Sequence, residues 1–160
     1  MVSLLVAFVA TFGIRILSAM RTSADPTITN KLILQMEARK TADEVIEGIR
    51  EATEVVKPGV GETSPYLVYL DARNRIGCLY LETDRKHSDA FSKSLFRLIR
   101  YVAKDPLTYD ASQEKVVGEM IKAVTFTSTS PRSVQVNLTL ANEKGEFQVL
   151  SHVGLMNMED

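Results

Sequence analysis

The chain opens on an apolar run, "MVSLLVAFVATFGIRILSAM", broken only by Ser3, Thr11, Arg15 and Ser18, and no charge precedes Arg15. As a helix, Met1 to Met20 would extend ~30 Å, about the thickness of a bilayer core, whereas the uncharged part up to Ile14 would reach only ~21 Å. The tract is therefore a marginal span. Arg15 is expected at the membrane edge, its stem in lipid and its guanidinium among headgroups.

A second pattern follows "RTSADP". Asp25 is placed as a helix N-cap and Pro26 as the first helical residue. From there Ile28, Leu32, Gln35/Met36, Ala42, Val45/Ile46, Ile49, Ala52 and Val56 are expected to form one buried face. Lys31, Glu37, Arg39, Lys40, Asp43, Glu47, Arg50 and Glu51 fill the remaining, solvated surface. Pro58 and Gly59 in "KPGVG" are the expected stop.

Beyond Gly61 the period changes to that of strands. "PYLVYLDARNRIGCLYLETD" predicts a hairpin turning at Asp71–Arg75. "SLFRLIRYVA" fits a strand that puts Arg97 and Arg100 on opposite faces, although Leu95, Leu98, Ile99 and Val102 also fit a helix. "SQEKVVGEMIK" predicts a short helix with Val116, Val117, Met120 and Ile121 inward. Val134, Val136, Leu138 and Leu140 alternate with Gln135, Asn137 and Thr139, which predicts a strand with one buried and one wet face. "NEKG" then makes a hairpin turn, with Gly145 available for a positive φ, and Phe147, Val149 and Val153 supply the partner strand. The expected fold class is α+β. A long N-terminal helix, apolar in its anchor half and amphipathic in its second half, would pack on an antiparallel β-sheet domain. The expected division is an apolar membrane or filament-core helix, 1–22, and an extracytoplasmic domain, 23–160.

With 160 residues the chain suits one domain with a core of its own. A net charge of −1 supplies no basic excess for a polyphosphate backbone, so nucleic acid is not an expected partner. The single cysteine, Cys78, cannot close an internal disulfide and reads as a small buried hydrophobe. A cleavable secretory signal needs a basic region before its apolar stretch, and none is written here. Arg15 and Arg21 follow the run, so charge alone would hold the C-terminal domain in the cytoplasm unless a basic leader has been removed.

Candidate chemistry is sparse. No phosphate loop, H-E-x-x-H, G-x-S-x-G or Cys/His ligand cluster is present. His87 is expected in a solvated loop, and His152 on a strand facing water or a partner. Asp84, Asp89, Asp105 and Asp110 are read as loop carboxylates without the tight spacing of a calcium loop. Asn137 in "NLT" matches a glycosylation acceptor but lies mid-strand. No catalytic residue, cofactor or metal site is expected, and no small-molecule substrate.

"SLLVAFVATFGI", "EARKTADEVIEGIREATEVVKPG", "LVYLDARNRIGCLYLE", "SLFRLIRY" and "MIKAVTFTSTSPRSVQVNLTLANEKGEFQVLSHVGLMN" together carry a resemblance. In that order they resemble a type IV pilin-like protein, a minor pilin or minor pseudopilin of the J or W type, over nearly the whole chain. The resemblance implies a non-enzymatic subunit of a type IV pilus or a type II secretion pseudopilus. Its apolar helix would wait in inner-membrane lipid with the C-terminal domain in the periplasm. That helix would then bundle with other pilins or pseudopilins. The assembly residues would be Leu4, Leu5, Ala7, Phe8, Ala10 and Gly13, and Met1 would be the methylated N-terminus. The family's cleavage-site glycine and the glutamate of its fifth mature position have no match; Leu5 or Ser3 stands in the latter's place. The alternative is an unrelated single-pass, membrane-tethered extracytoplasmic adaptor or binding domain.

Overall fold

The computed structural model describes residues 26–104 and 108–156, with side chains from Ile28 onward. The tract 1–22, the N-cap Asp25, Asp105 and all seven residues named for assembly or methylation, Met1, Leu4, Leu5, Ala7, Phe8, Ala10 and Gly13, lie outside the described residues. The chain divides into two units, Met1–Ile33 and Leu34–Asp160. Of the first, only the opening turns of one helix are described.

That helix, α1, spans Pro26–Arg50. Eight strands follow: β1 (Ala52–Lys57), β2 (Thr63–Ser64), β3 (Leu67–Asp71), β4 (Ile76–Thr83), β5 (Phe96–Val102), β6 (Glu114–Ser130), β7 (Ser133–Ala141) and β8 (Glu146–Gly154). A short helix α2 (Arg85–Phe91) joins β4 to β5, and a 3-10 turn, Ala111–Gln113, leads into β6. All eight strands form one antiparallel sheet in the order β1-β3-β4-β5-β6-β7-β8, with β2 pairing against β6 beside this path. The 17-residue β6 joins the two parts of the sheet: its first half pairs with β5 and its second half with β7.

The expectation of a long N-terminal helix carrying a sheet domain is overturned. The described helix is 25 residues long, and the eight-stranded sheet dominates the described chain. α1 ends at Arg50, well before Pro58, and Ala52–Lys57 is a strand paired with β3. Thr53, Val55 and Val56 explain this: β-branched side chains lose rotamer freedom in a helix and fit the pleated surface of a sheet. The expected helix at "SQEKVVGEMIK" is likewise the first half of β6. There Val117 and Ile121 point into the core, Val116 is exposed, and Met120 takes a left-handed φ of 57° beside a break in register with β5.

The hairpins follow the expected alternation. β3 and β4 pair across Asp71–Arg75, where Asp71 Oδ1 accepts from the backbone amides of Arg73 and Arg75, each at 2.9 Å. β7 and β8 pair residue for residue, with Val134, Val136, Leu138, Leu140 and Val153 buried. Gly145 has no positive φ. Instead the Asn142 side chain closes that turn, accepting from the amides of Lys144 and Gly145.

One core holds these parts together. From Leu34 on, α1 buries Leu34, Ala38, Ala42, Val45 and Ile49 in the same cluster as Leu67, Tyr69, Leu79, Leu98, Ile121, Phe126 and Leu138 of the sheet. Small residues set the approach of helix to sheet. A Cβ on Gly118 of β6 would overlap the Thr41 side chain, and Gly77 of β4 leaves room for the fully buried ring of Tyr69.

Candidate functional site

Two places on the described chain gather chemistry or exposed apolar surface. The first is the corner between β4 and β5. Asp84 is 4% exposed and caps α2, accepting from the His87 amide at 3.1 Å. Its other oxygen lies 2.7 Å from His87 Nδ1 and accepts from the Met120 amide at 3.3 Å. Burial pushes this carboxyl's pKa up, but the hydrogen bonds from His87 and Met120 outweigh it and hold the pKa below the usual carboxylate range. Asp84 is thus an ionised structural anchor at neutral pH. Its spacing from His87, D-x-x-H with Asp as N-cap, is the signal in the sequence that could have announced the pair.

His87 therefore does not sit in a solvated loop. It belongs to α2, its side chain is mostly buried, and its ring lies 5.8 Å from that of Phe91. An aspartate orienting a histidine is one half of a nucleophilic triad, but the neighbouring Ser88 is committed elsewhere. Its hydroxyl donates to the Leu95 carbonyl at 3.1 Å and accepts from the Leu95 amide at 3.0 Å, tying α2 to the start of β5. A cleft of about 510 Å³ opens beside this corner, lined by Glu82, Thr83, Asp84, Arg85, Lys86, Arg97 and Glu119. Glu82 is paired with Arg97 across it, Arg97 Nη2 lying 2.6 Å from the Glu82 carboxylate. The cleft combines both signs of charge, and neither Ser88 nor Cys78 is among the residues that line it.

The other candidates named from sequence are scattered. Asp89 lies within α2, and Asp110 caps the 3-10 turn by accepting from the Ser112 amide. Cys78 is half-buried on β4, and burial pushes its thiol pKa up, away from the reactive thiolate. His152 faces outward on β8, with Nε2 3.0 Å from the Thr129 hydroxyl. Asn137 lies on β7 and accepts from the Gln148 amide at 2.7 Å. Among the described residues no three His, Cys, Asp or Glu side chains converge to hold a metal ion.

The second place is the early part of α1. Ile28, Leu32 and Met36 recur at intervals of four, which puts them on one stripe of the helix. They are 66%, 56% and 62% exposed, and Ile33 beside them is 50% exposed. The expectation that these positions bury with Ala42 and Val45 does not hold. At about 100° per residue, Met36 stands roughly half a turn away from Val45. The buried face is instead Leu34, Ala38, Thr41, Ala42, Val45 and Ile49. Toward the C-terminal end of α1 the chemistry changes to charge: Glu44 pairs with Lys115 at 2.6 Å, and Glu51, just past the helix, pairs with Arg100. Arg100 Nε also donates to the Tyr69 hydroxyl at 3.1 Å, fixing that end over β3 and β5.

Four exposed large apolar side chains in nine residues are more than chance scatter on a helix that already buries another face. No described helix is long and apolar enough to cross a membrane. No family model, curated protein or solved structure matches this chain.

Proposed function

We propose that this protein is a non-enzymatic structural subunit that works by association, a minor pilin or pseudopilin of a type IV pilus or type II secretion pseudopilus. The observation that carries this reading is the exposed stripe Ile28–Leu32–Met36. Thirteen residues separate it from the end of the uncharged tract at Ile14, and it lies on a helix that buries a different set of residues with its own sheet from Leu34 on. Such a stripe gains by meeting another apolar helix, since each fully buried Leu, Ile or Met side chain is worth roughly 1.5–3 kcal/mol relative to water.

In this reading the tract containing Leu4, Leu5, Ala7, Phe8, Ala10 and Gly13 is held in inner-membrane lipid before assembly, with the sheet domain in the periplasm. On assembly it exchanges lipid for helix neighbours. That exchange depends on packing, because lipid tails are as apolar as leucine, and Ala7, Ala10 and Gly13 at intervals of three would allow close approach. The stripe on α1 extends the contact into water, where the hydrophobic effect adds to it.

A photo-crosslinking residue at Leu32 or Met36 of the full chain, expressed in its native cell, tests the proposal. The expected product joins this chain to the apolar N-terminal segment of another pilin-like subunit, identified by mass spectrometry. The same residue at Arg73, on the β3–β4 turn, should not give it. Equal yields from all three positions would reject the assignment.

A further inference from the structure

The two edges of the sheet differ in a way that points to a second surface. β1 is guarded by the means that natural edge strands use against pairing. It has two register shifts in six residues, carries Glu54 and Lys57, and runs into Pro58. β8 has none of these. Its nine residues keep one unbroken register with β7, contain no Lys, Arg or Pro, and place their only carboxylate, Glu146, at one end. Among the described residues no strand lies beyond it.

Its side chains do not cover the edge either. On the outer face Glu146 reaches back to Lys122 of β6 at 2.6 Å, and Gln148 turns inward to Asn137 of β7. His152 likewise leans over to Thr129 of β6. Each polar group on this face is bonded toward the interior of the sheet, away from the open edge. Leu150, at the middle of the strand, is 63% exposed.

We infer that β8 is a pairing edge for a second copy of this chain, joined antiparallel about a two-fold axis at Leu150. The sequence itself argues for this occupant. Centred there, Leu150 meets Leu150 of the other copy, Gln148 meets His152, Phe147 meets Val153, and Glu146 meets Gly154. Val149 falls opposite Ser151, while the other pairs set apolar opposite apolar at Leu150–Leu150 and Phe147–Val153 and amide opposite imidazole at Gln148–His152. No like charges face each other, and like charges directly opposite would destabilise an antiparallel pair. The contact is isologous and closes on itself, so it yields a dimer and not a fibre. The surface is separate from the α1 stripe, and the inference does not depend on the assembly reading.

Single-cysteine chains in a Cys78→Ala background, full length and in detergent, provide the test. Opposed residues in an antiparallel pair have Cα atoms ~4.5–5.5 Å apart, within disulfide range, whereas a residue four positions removed is ~13 Å away. Leu150→Cys alone should oxidise to a covalent dimer, with a yield about tenfold above Gln148→Cys alone or His152→Cys alone. Mixing Gln148→Cys with His152→Cys chains should restore the yield. In the same way, Leu150→Lys and Leu150→Glu should each be monomeric by light scattering, and their mixture dimeric. Because Leu150 is exposed, these variants keep the fold, which circular dichroism verifies. A wild-type chain that stays monomeric at every concentration would overturn the inference, as would equal disulfide yields at 148, 150 and 152. Equal yields would also point to association through α1 and leave the assembly reading standing.

Discussion

Thr41 of α1 and Gly118 of β6 lie so close that a Cβ built on Gly118 would sit 2.3 Å from Thr41 Cγ2 and 2.5 Å from its Oγ1. Nothing larger than hydrogen fits there while the helix rests on the strand. Thr41 is 1% exposed and belongs to the buried face that also holds Ala38, Ala42 and Val45. The seat of α1 on the sheet is therefore set at β6, in its first half, where Gly118 pairs with Leu98 of β5.

Gly118→Ala should destabilise the fold by about 1–3 kcal/mol, the usual range for overpacking a filled core. Thr41→Ala removes the atoms that collide, so the double variant should cost less than the two single changes added together. Urea unfolding of the four chains measures the coupling. Strict additivity would mean that the helix does not sit against Gly118.

Asp84 gives the stability a pH dependence. Its folded pKa lies below its unfolded value, so its contribution is present above the unfolded pKa of ~3.9 and is lost as pH falls through the folded pKa. Asp84→Asn should cost about 1–3 kcal/mol near pH 7, since the bonds from His87 and Met120 lose their charge. It should also flatten the decline in stability below about pH 4. Unfolding curves for wild type and variant at pH 7 and pH 3 check both; a constant gap between them would remove Asp84 as the cause.

How much of this was legible in the sequence depended on whether one period could be told from another. β7 alternates from Val134 to Leu140 and β8 from Glu146 to Val149, a pattern that no helix reproduces, although Leu150 and Ser151 break it on β8. In "SQEKVVGEMIK", by contrast, Val117 and Ile121 are four apart, a spacing that shares a face in both a helix and a strand. The paired β-branched Val116 and Val117 were the better guide. On α1 a single apolar face from Ile28 to Val56 required a step of six from Met36 to Ala42, which no helical face allows. The buried stripe was hidden because Ala38 is too small and Thr41 too polar to register as hydrophobic. The Asp84–Met120 bond joins residues 36 apart, and only the folded chain brings them together.

The proposed membrane-held stage rests on the uncharged N-terminal tract. Val9→Asp should deplete the protein from the membrane fraction, because an aspartate carried to mid-bilayer costs ~2.5–3.5 kcal/mol on insertion. Fractionation of cells expressing the variant measures this directly. Retention equal to wild type would mean that the tract is not held in lipid.

The most direct test of the central claim separates association from folding on the stripe itself. Full-length chains carrying Leu32→Glu and Met36→Glu together, solubilised from membranes, are compared with wild type for co-purification with partner pilin-like subunits. Both side chains are exposed, so thermal unfolding of the domain should change by no more than about 0.5 kcal/mol. The account predicts that the complex is lost while this melting transition stays in place. A variant that unfolds normally and still co-purifies with its partners at the wild-type level would contradict it.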